Sequence, residues 1–187
     1  KENKASFMAR LSYVYSFTEM LDIEDCYMTV KDRHHYQWRK ELDAQGNKVR
    51  YFEHPRRVAL IGIDECGIFD PVLVKAFLGH DLFEDTFLSE ALAERKFGGE
   101  SCVLIKQVTK IPDEGPAFYE RLKARGSWKS MLVKLCDRLD NMRTLGDCPT
   151  AFKHKQILDT TNHIYPVIGE ALYKCPQDMK GVIHNLG

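Results

Sequence analysis

Residues 77–86, with the sequence FLGHDLFEDT, place one histidine and three carboxylates within a short stretch. If this stretch is helical, His80 and Glu84 share a face and Asp81 and Asp85 lie on the next row, because residues four apart lie above one another. Like charges raise each other's pKa and burial penalises each ion, so such a group is costly to bury without a positive charge. A divalent metal ion is the simplest way to satisfy it.

Two distant places in the chain could complete a metal site. His54 precedes Pro55, and because proline is tolerated at the first position of a helix, we expect His54 at a helix mouth, facing a cavity. Asp137 and Asn141 lie four apart in a predicted helix and point away from the centre of its apolar stripe. Two imidazoles with two carboxylates suit manganese, iron or another borderline divalent ion. A solvated network of ion pairs is the alternative interpretation.

Length and charge limit the class of protein. A chain of 187 residues can bury one substantial core, which predicts a single domain over residues 1–187. The 27 basic residues balance 27 acidic ones, so no overall field attracts nucleic acid or an anionic membrane, although a local basic patch could bind a small phosphorylated ligand. The sequence contains neither an apolar run of roughly 20 residues nor the apolar segment of a signal peptide. We therefore expect a soluble, cytoplasmic protein without nucleic-acid or membrane partners.

The six cysteines are widely scattered and form no Cys-x-x-Cys pair. This spacing does not indicate a zinc site or a disulfide framework. It predicts reduced thiols that are mostly buried as small apolar residues.

The spacing of apolar residues predicts an all-α chain. No stretch shows the period-two pattern of a strand, residues 45–47 are expected to form a turn, and the tail after residue 175 is expected to be irregular. Adjacent histidines on a helix point in different directions, so His34 and His35 are interpreted as surface or core-edge residues rather than ligands. Helices are predicted over residues 6–22, 54–67, 70–85, 89–96, 100–110, 119–125, 128–145 and 151–174, the last bent near Pro166.

Read together in chain order, several motifs resemble those of one known family. They cover roughly residues 30–170 and are Arg39-Lys40, Tyr51-x-x-His54-Pro55, His80-Asp81-x-x-Glu84-Asp85-Thr86, Phe97-Gly98, Val108-Thr109-Lys110, Leu132-Val133-Lys134-Leu135-x-Asp137-Arg138-Leu139-x-Asn141-Met142-Arg143-Thr144-Leu145 and Ile164-Tyr165. These motifs are similar to those of the HD superfamily of metal-dependent phosphohydrolases, in particular to the hydrolase domain of RelA/SpoT-type enzymes that degrade the alarmones ppGpp and pppGpp. The resemblance implies an HD-domain helical bundle with a metal site between its helices.

The resemblance implies catalytic and metal-binding roles at matching positions. Glu84 and Asp85 would activate or orient the attacking water and handle protons; the alternative for both is a solvated charge at a helix end. One metal ion, usually manganese in this family, would be held by His54, His80, Asp81 and Asp137.

It also implies contacts to the nucleotide. Arg39 would contact phosphates or lock the site, Lys40 and Thr144 would border the purine, and Asn141 would hydrogen-bond the ribose. Ordinary surface or helix-face roles are the alternatives for these residues. The implied reaction is manganese-dependent 3′-pyrophosphohydrolysis of (p)ppGpp to GDP or GTP and pyrophosphate.

Two departures from the family pattern concern the shape of the pocket. The flanks of the His-Asp pair are Phe77-Leu78-Gly79 and Leu82-Phe83, where Gly79 is expected to add backbone freedom and the phenylalanine to add bulk. The loop between residues 40 and 51 is also longer than in many relatives.

The sequence leaves other functions open. The chain has no room for the synthetase and regulatory domains of long RelA/SpoT proteins, so it resembles a stand-alone small alarmone hydrolase, such as the metazoan SpoT homologues, that could be functionally paired with a synthetase. The alternatives are another nucleotide phosphohydrolase on the same site, acting on an adenosine alarmone or on NADPH, and a non-catalytic alarmone-binding regulator.

Overall fold

The computed structural model describes residues 2–146 and 148–187. Lys1, where the predicted domain begins, lies outside the described residues. Within the described residues the all-α prediction is confirmed, apart from one small hairpin.

The chain begins with two helices, α1 (Lys4–Leu11) and α2 (Phe17–Arg33), so the single helix predicted over residues 6–22 is wrong. The break has a local cause. The Ser16 side chain accepts a hydrogen bond from the backbone N–H of Glu19, and the Glu19 carboxylate accepts one from the Ser16 N–H. This reciprocal capping box starts a new helix and leaves Val14 and Phe17 exposed, although both fit the apolar spacing.

An antiparallel hairpin follows, with β1 (Trp38–Leu42) and β2 (Lys48–Arg50) joined by a turn in which Gly46 has φ +80°. The turn was predicted and the strands were not. The inward residues of β1 are Arg39 and Glu41, so its period-two pattern is one of charged side chains rather than apolar ones.

Three helices pack together to form the centre of the molecule. They are α3 (Glu53–Leu60), α4 (Pro71–Gly79) and α9 (Trp128–Arg143). A π-helical turn over Ile61–Glu65 extends α3 towards Gly67. The Asp70 carboxylate caps α4, accepting a hydrogen bond from the backbone N–H of Val72 at 2.9 Å.

The remaining helices surround this centre. The predicted helix over residues 70–85 stops at Gly79, and the tail expected to be irregular contains a 3₁₀ turn (Gln177–Met179) and a short helix. The helix predicted over residues 151–174 is interrupted by a π-helical turn over Thr160–Ile164, directly before the position where a bend at Pro166 was expected. The helices that surround the centre are α5 (Leu82–Asp85), α6 (Glu90–Phe97), α7 (Gly99–Val108), α8 (Ala117–Arg125), α10 (Thr150–Asp159), α11 (Tyr165–Lys174) and α12 (Lys180–His184).

Two glycines allow close packing under the turn that carries His80 and Asp81. A Cβ atom on Gly79 would lie 2.7 Å from Cδ1 of Ile105, and one on Gly62 would lie 2.3 Å from the ring of Phe77. Gly79 therefore provides space rather than the expected backbone freedom. The ring of Phe77 packs against Gly62 inside the core.

All six cysteines are free and buried, as predicted. Among the described residues, no helix combines the length and the apolar character that crossing a membrane requires.

Candidate metal centre

The four predicted metal ligands meet where three parts of the fold come together. His54 lies in the first turn of α3, Asp137 lies in α9, and His80 and Asp81 form the turn between α4 and α5. Nε2 of His54 lies 3.2 Å from Nε2 of His80 and 3.1 Å from Oδ1 of Asp137. Oδ2 of Asp81 lies 3.4 Å from Nε2 of His54 and 3.1 Å from Nε2 of His80. Four potential ligand atoms thus face the same small space.

The Nδ1 partners of both histidines fix which nitrogen faces that space. Nδ1 of His80 contacts the backbone oxygen of Phe77 at 2.9 Å, and Nδ1 of His54 contacts Oδ2 of Asp140 at 2.6 Å. Both partners can only accept, so each Nδ1 carries a proton and donates it. The Nε2 atoms of both rings therefore face the same space, where a proton bound to one of them, or a cation, removes the repulsion between their lone pairs.

The charges in this cluster shift its pKa values strongly. Burial alone would lower the pKa of His54, but hydrogen bonds to Asp137, Asp140 and Asp81 outweigh it and raise the pKa to about 10. Burial would raise the pKa of Asp81, yet the charge of His80 and hydrogen bonds from both histidines hold it well below its usual range. Without a metal ion, the cluster therefore retains a proton at neutral pH.

A row of charged side chains connects His54 to the hairpin. Asp140 accepts hydrogen bonds from His54 and from Nε of Arg57 at 2.6 Å, and Nη2 of Arg57 donates to Glu41 at 3.0 Å. Sequence reasoning assigned no role to these three partners. The only signal available was the spacing of Arg57 three residues after His54, and of Asp140 three residues after Asp137.

Asp137 is held by two neighbours on its own helix. Nζ of Lys134 donates to its Oδ2 at 2.6 Å, and Nδ2 of Asn141 donates to its Oδ1 at 2.5 Å. Burial would lower the pKa of Lys134, but the charges of Asp137 and Glu84 raise it, so the amine stays charged. Residues three and four positions away on α9 thus fix the carboxylate.

The two predicted water-activating residues lie at the rim of the cluster. The hydroxyl of Tyr51 contacts Oδ2 of Asp81 at 2.8 Å and Oδ2 of Asp85. Oε1 of Glu84 accepts a hydrogen bond from the backbone N–H of Lys110 at 2.7 Å. Burial of the carboxyl raises the pKa of Glu84, although part of the residue remains in contact with solvent. Tyr51 is a second residue to which the sequence analysis gave no role.

A cavity of about 150 Å³ adjoins the cluster, between the hairpin and the start of α10. Nη2 of Arg39 donates to Oδ1 of Asn141 at 2.8 Å and contacts Oγ1 of Thr144 at 3.5 Å. Nζ of Lys40 lies 4.0 Å from the ring centre of Phe152. The structure therefore brings together, around this cavity, all four residues to which nucleotide contacts were attributed. Their roles stay predictions.

His34 and His35 stand apart from this arrangement. His34 is buried and stacks on Tyr51, with ring centres 4.7 Å apart, and His35 is exposed.

Within the described residues, the group of side chains that could hold a metal ion contains His54, His80 and Asp137, whose ligand atoms lie within 4.8 Å of one another.

The helical fold and the histidine and aspartate cluster between its helices define an HD-type metal-dependent hydrolase class. No family model matches the chain. A solved structure described as a metazoan ortholog of SpoT that hydrolyzes ppGpp matches with a TM-score of 0.71 at 25% identity, covering 92% of this chain and 96% of that one.

Curated relatives agree with the structural match. Guanosine-3′,5′-bis(diphosphate) 3′-pyrophosphohydrolase MESH1 of Drosophila melanogaster is 34% identical over 125 residues, 65% of this chain and 68% of that protein. The mouse (Mus musculus) MESH1 protein is 33% identical over 131 residues, covering 66% and 71%. A probable enzyme of the same name from Mycoplasma genitalium is 28% identical over 96% of this chain, which spans only 26% of that protein. The chain belongs to the MESH1-type family of guanosine-3′,5′-bis(diphosphate) 3′-pyrophosphohydrolases.

Proposed function

We propose that this protein hydrolyses ppGpp and pppGpp at the 3′ position, releasing pyrophosphate and GDP or GTP, with one manganese ion. The observation that carries the proposal is the pair of Nε2 atoms of His54 and His80, 3.2 Å apart, with two carboxylates beside them and an adjoining cavity lined by the residues predicted to contact the nucleotide. Family membership supports the substrate, because the relatives are named as enzymes of this reaction.

The donor set fits a divalent ion. Two imidazole nitrogens and the carboxylates of Asp81 and Asp137 form a mixed nitrogen and oxygen set, which suits manganese among the borderline ions. The protons on both Nδ1 atoms leave the Nε2 lone pairs of His54 and His80 for the metal. When bound, the ion lowers the pKa of a water molecule and polarises a phosphoryl oxygen.

Three residues of the chain manage the proton and the attacking water in this proposal. Glu84, whose pKa is raised by burial, can accept a proton from the attacking water and return it to the leaving oxygen. Asp85 orients the water. Burial keeps the pKa of Tyr51 above its ordinary value, so its hydroxyl remains a donor and fixes the Asp85 carboxylate.

Cationic side chains would stabilise the charge that develops on the transferred phosphorus. Lys134 is charged and lies beside Asp137, and Arg39 lies at the opening of the adjoining cavity. Arg39 is bonded to Asn141 in the structure, so substrate must replace that contact with its own phosphate or ribose oxygens. In the same cavity, Lys40 and Thr144 would border the purine and Asn141 would bind the ribose.

The wider setting is also part of the proposal. We assign residues 1–187 to one hydrolase domain, supported by an apolar core that runs from Phe7 to Ile183. Six free, buried cysteines support a reducing compartment, the cytoplasm. An alarmone synthetase would supply the substrate, so the two enzymes would work as a functional pair.

The test is release of pyrophosphate and GDP from ppGpp by the purified protein, with manganese and with chelator. A double variant, Glu84→Gln with Asp85→Asn, should lose at least about a hundredfold in rate, the size typical of a general acid or base. A matched control, Glu120→Gln with Asp113→Asn, changes two exposed acids outside the site and should keep the activity.

Other results would identify the alternatives. Turnover of an adenosine alarmone or of NADPH, but not of ppGpp, would assign the same site to a different nucleotide. Tight ppGpp binding without turnover in manganese would make the protein a non-catalytic regulator. Activity that survives both chelation and the combined loss of His80 and Asp81 would contradict a metal mechanism altogether.

A further inference from the structure

Gln37 lies between the end of α2 and the start of β1, and it hydrogen-bonds to separate parts of the fold. Its side-chain Nε2 donates to the backbone oxygen of Asp85, the last residue of α5, at 2.5 Å. Its side-chain Oε1 contacts Nδ1 of His34 at 2.6 Å, and its backbone oxygen accepts from the N–H of Tyr51 at 3.0 Å. Gln37 is half-buried, and the proposed function gives it no role so far.

The chemistry of the partners fixes the direction of the Gln37 amide. The backbone oxygen of Asp85 can only accept a hydrogen bond, so the NH2 group must face it. The amide oxygen then faces Nδ1 of His34, which carries a proton and donates it. The side chain cannot turn over without placing two acceptor oxygens in contact, so both of its ends are held.

The bond to Asp85 matters because α5 is only four residues long. The last carbonyl groups of a helix have no partners within it, and a single helical turn has little stability of its own. Oγ1 of Thr86 donates to the backbone oxygen of Leu82 at 2.6 Å, and Gln37 supplies the donor for Asp85. Two side-chain donors therefore hold the end of the turn that carries the Asp85 carboxylate.

Gln37 also holds the partner of that carboxylate. The hydroxyl of Tyr51 hydrogen-bonds to Oδ2 of Asp85, and the ring of Tyr51 stacks on the ring of His34, with the two planes 17° apart. Gln37 bonds to the backbone of Tyr51 through its own backbone oxygen, and to the stacked ring of His34 through Oε1. One residue is thus connected to both sides of the bond between Tyr51 and Asp85.

We propose that Gln37 is a positioning residue, which holds Asp85 and Tyr51 in the arrangement that lets the Asp85 carboxylate orient the attacking water. The inference rests on the proposed function, in which Asp85 has that task. Among the described residues, Gln37 forms no hydrogen bond with the side chains of the four predicted metal ligands, and it does not line the cavity of Arg39 and Asn141. Its loss should therefore lower kcat and leave KM and metal affinity nearly unchanged.

The test compares Gln37→Met and Gln37→Glu with the parent in manganese-dependent release of pyrophosphate from ppGpp. Methionine keeps the length and loses both polar ends, whereas glutamate keeps the acceptor for His34 and loses the donor to Asp85. Each variant should lower kcat about tenfold, because a small misplacement of a group that orients a reactant is costly. KM, and the manganese affinity measured by calorimetry, should stay within about twofold of the parent, since the lost interaction acts in the transition state. Gln45→Met, at an exposed position in the hairpin turn, is the matched control and should keep the parent kcat.

A second comparison separates positioning from a merely structural role. In an Asp85→Asn background, Gln37→Met should cause no further loss of kcat, because the residue through which it acts is already disabled. A general loosening of the fold would instead lower kcat again and weaken manganese binding. Unchanged kcat in both single variants, a further loss in the Asp85→Asn background, or an equal loss of manganese affinity would each overturn the proposal.

The proposed function can fail separately from this inference. If the parent turns over another nucleotide but not ppGpp, the substrate assignment is wrong, and the same variants measured with that nucleotide still decide the role of Gln37. A parent that turns over none of these nucleotides would overturn both proposals.

Discussion

The two clustered histidines are oriented by groups that never touch the proposed metal ion. His54 is fixed by the Asp140 carboxylate, and His80 by the backbone oxygen of Phe77. Only the first of these partners can be changed by substitution. Asp140 is buried and also pairs with Arg57. Its replacement therefore leaves Nδ1 of His54 and Nε of Arg57 without the acceptor that they share.

Asp140→Asn should weaken metal binding by about 10- to 100-fold, the usual effect of removing an outer partner of a ligating histidine. Calorimetric titration with the metal ion measures this affinity. Asp113→Asn, the same change at an exposed position, serves as the control and should bind metal normally. Unchanged affinity in the Asp140 variant would mean that the orientation of His54 does not depend on this carboxylate.

The same residue should affect acid stability. Burial would raise the pKa of Asp140, but hydrogen bonds from His54 and Arg57 lower it. The ionised Asp140 carboxylate therefore adds to the free energy of unfolding at pH values above about 4, its pKa in the unfolded chain. This contribution is lost as the pH falls through the lower pKa that Asp140 has in the folded protein. Denaturant titrations between pH 7 and pH 3 should show a shallower loss of stability for Asp140→Asn than for the parent. Parallel curves would contradict this.

Metal binding should release a proton. In the metal-free protein the pKa of His54 is raised to about 10, against about 6.5 in an unfolded chain, so the cluster holds a proton that the ion must displace. Affinity should therefore rise about tenfold per pH unit between pH 7 and 9. Calorimetry at pH 8 in two buffers of different ionisation enthalpy should give different heats; identical heats would show that no proton is released.

Residue types and spacing indicated a plausible metal site, because a histidine and carboxylate cluster has few inexpensive uses, and the structure brings those side chains together. Their roles as ligands stay predictions. Their partners could not be predicted in the same way. Arg57, Asp140 and Lys134 are ordinary helix charges until the packing of α3 against α9 brings them to the ligands. The hydroxyl of Tyr51 is a similar case, because it reaches Asp81 only across the fold.

At the scale of elements, the turn that carries His80 and Asp81 depends on how closely α4 fits its neighbours. Phe77 is fully buried, and its ring occupies the space where Gly62 lacks a side chain. Gly62 belongs to the π-helical turn that extends α3, so this one contact joins two of the elements that carry or adjoin predicted metal ligands.

Gly62→Ala should destabilise the protein by about 1–3 kcal/mol, because the new methyl group overlaps a ring that cannot move freely in the core. Gly169→Ala is the matched control. It lies in α11 with no atom near its missing Cβ, so the gain in helix propensity should stabilise the protein by up to about 1 kcal/mol. Thermal unfolding measures both; equal effects would mean that the Phe77 contact relaxes at little cost.

Helix starts were predictable where a side chain caps the backbone, as at Asp70 and Ser89. The break at Ser16 was missed because apolar spacing continued through it, although the capping pair with Glu19 was present in the sequence. The hairpin was missed for a different reason. Its inward residues, Arg39 and Glu41, are charged, so hydrophobic periodicity gave no sign of the strands.

At the scale of the whole molecule, balanced charge conceals strong local separation. Histidines and carboxylates gather at the candidate metal centre, whereas Lys31, Arg50 and Arg56 line a cavity between the end of α2 and the start of α3. Overall composition indicated an ordinary globular protein, but a sum over the whole chain does not show where either cluster lies.

The six buried thiols should react slowly in the folded protein. Burial raises the pKa of Cys26 to about 12 and also raises that of Cys102, so little reactive thiolate forms there near neutral pH. A hydrogen bond with Cys136 lowers the pKa of Cys66, so burial alone limits the reaction of that thiol. Titration with Ellman's reagent should show slow, incomplete labelling of the native chain and six reactive thiols in denaturant. The melting temperature should not change on adding a reductant. Rapid labelling without denaturant would indicate that the core opens readily.

The base of the hairpin is anchored, and its turn is largely exposed. Arg39 and Glu41 attach the base to the helices through Asn141 and Arg57, whereas the turn lies at residues 43–47. A change of length in this turn need not alter the anchored strand that carries Arg39 and Lys40, which are predicted to contact the nucleotide. The tip is therefore a suitable position for a fluorescent label or an affinity tag that reports on the enzyme without disturbing its chemistry.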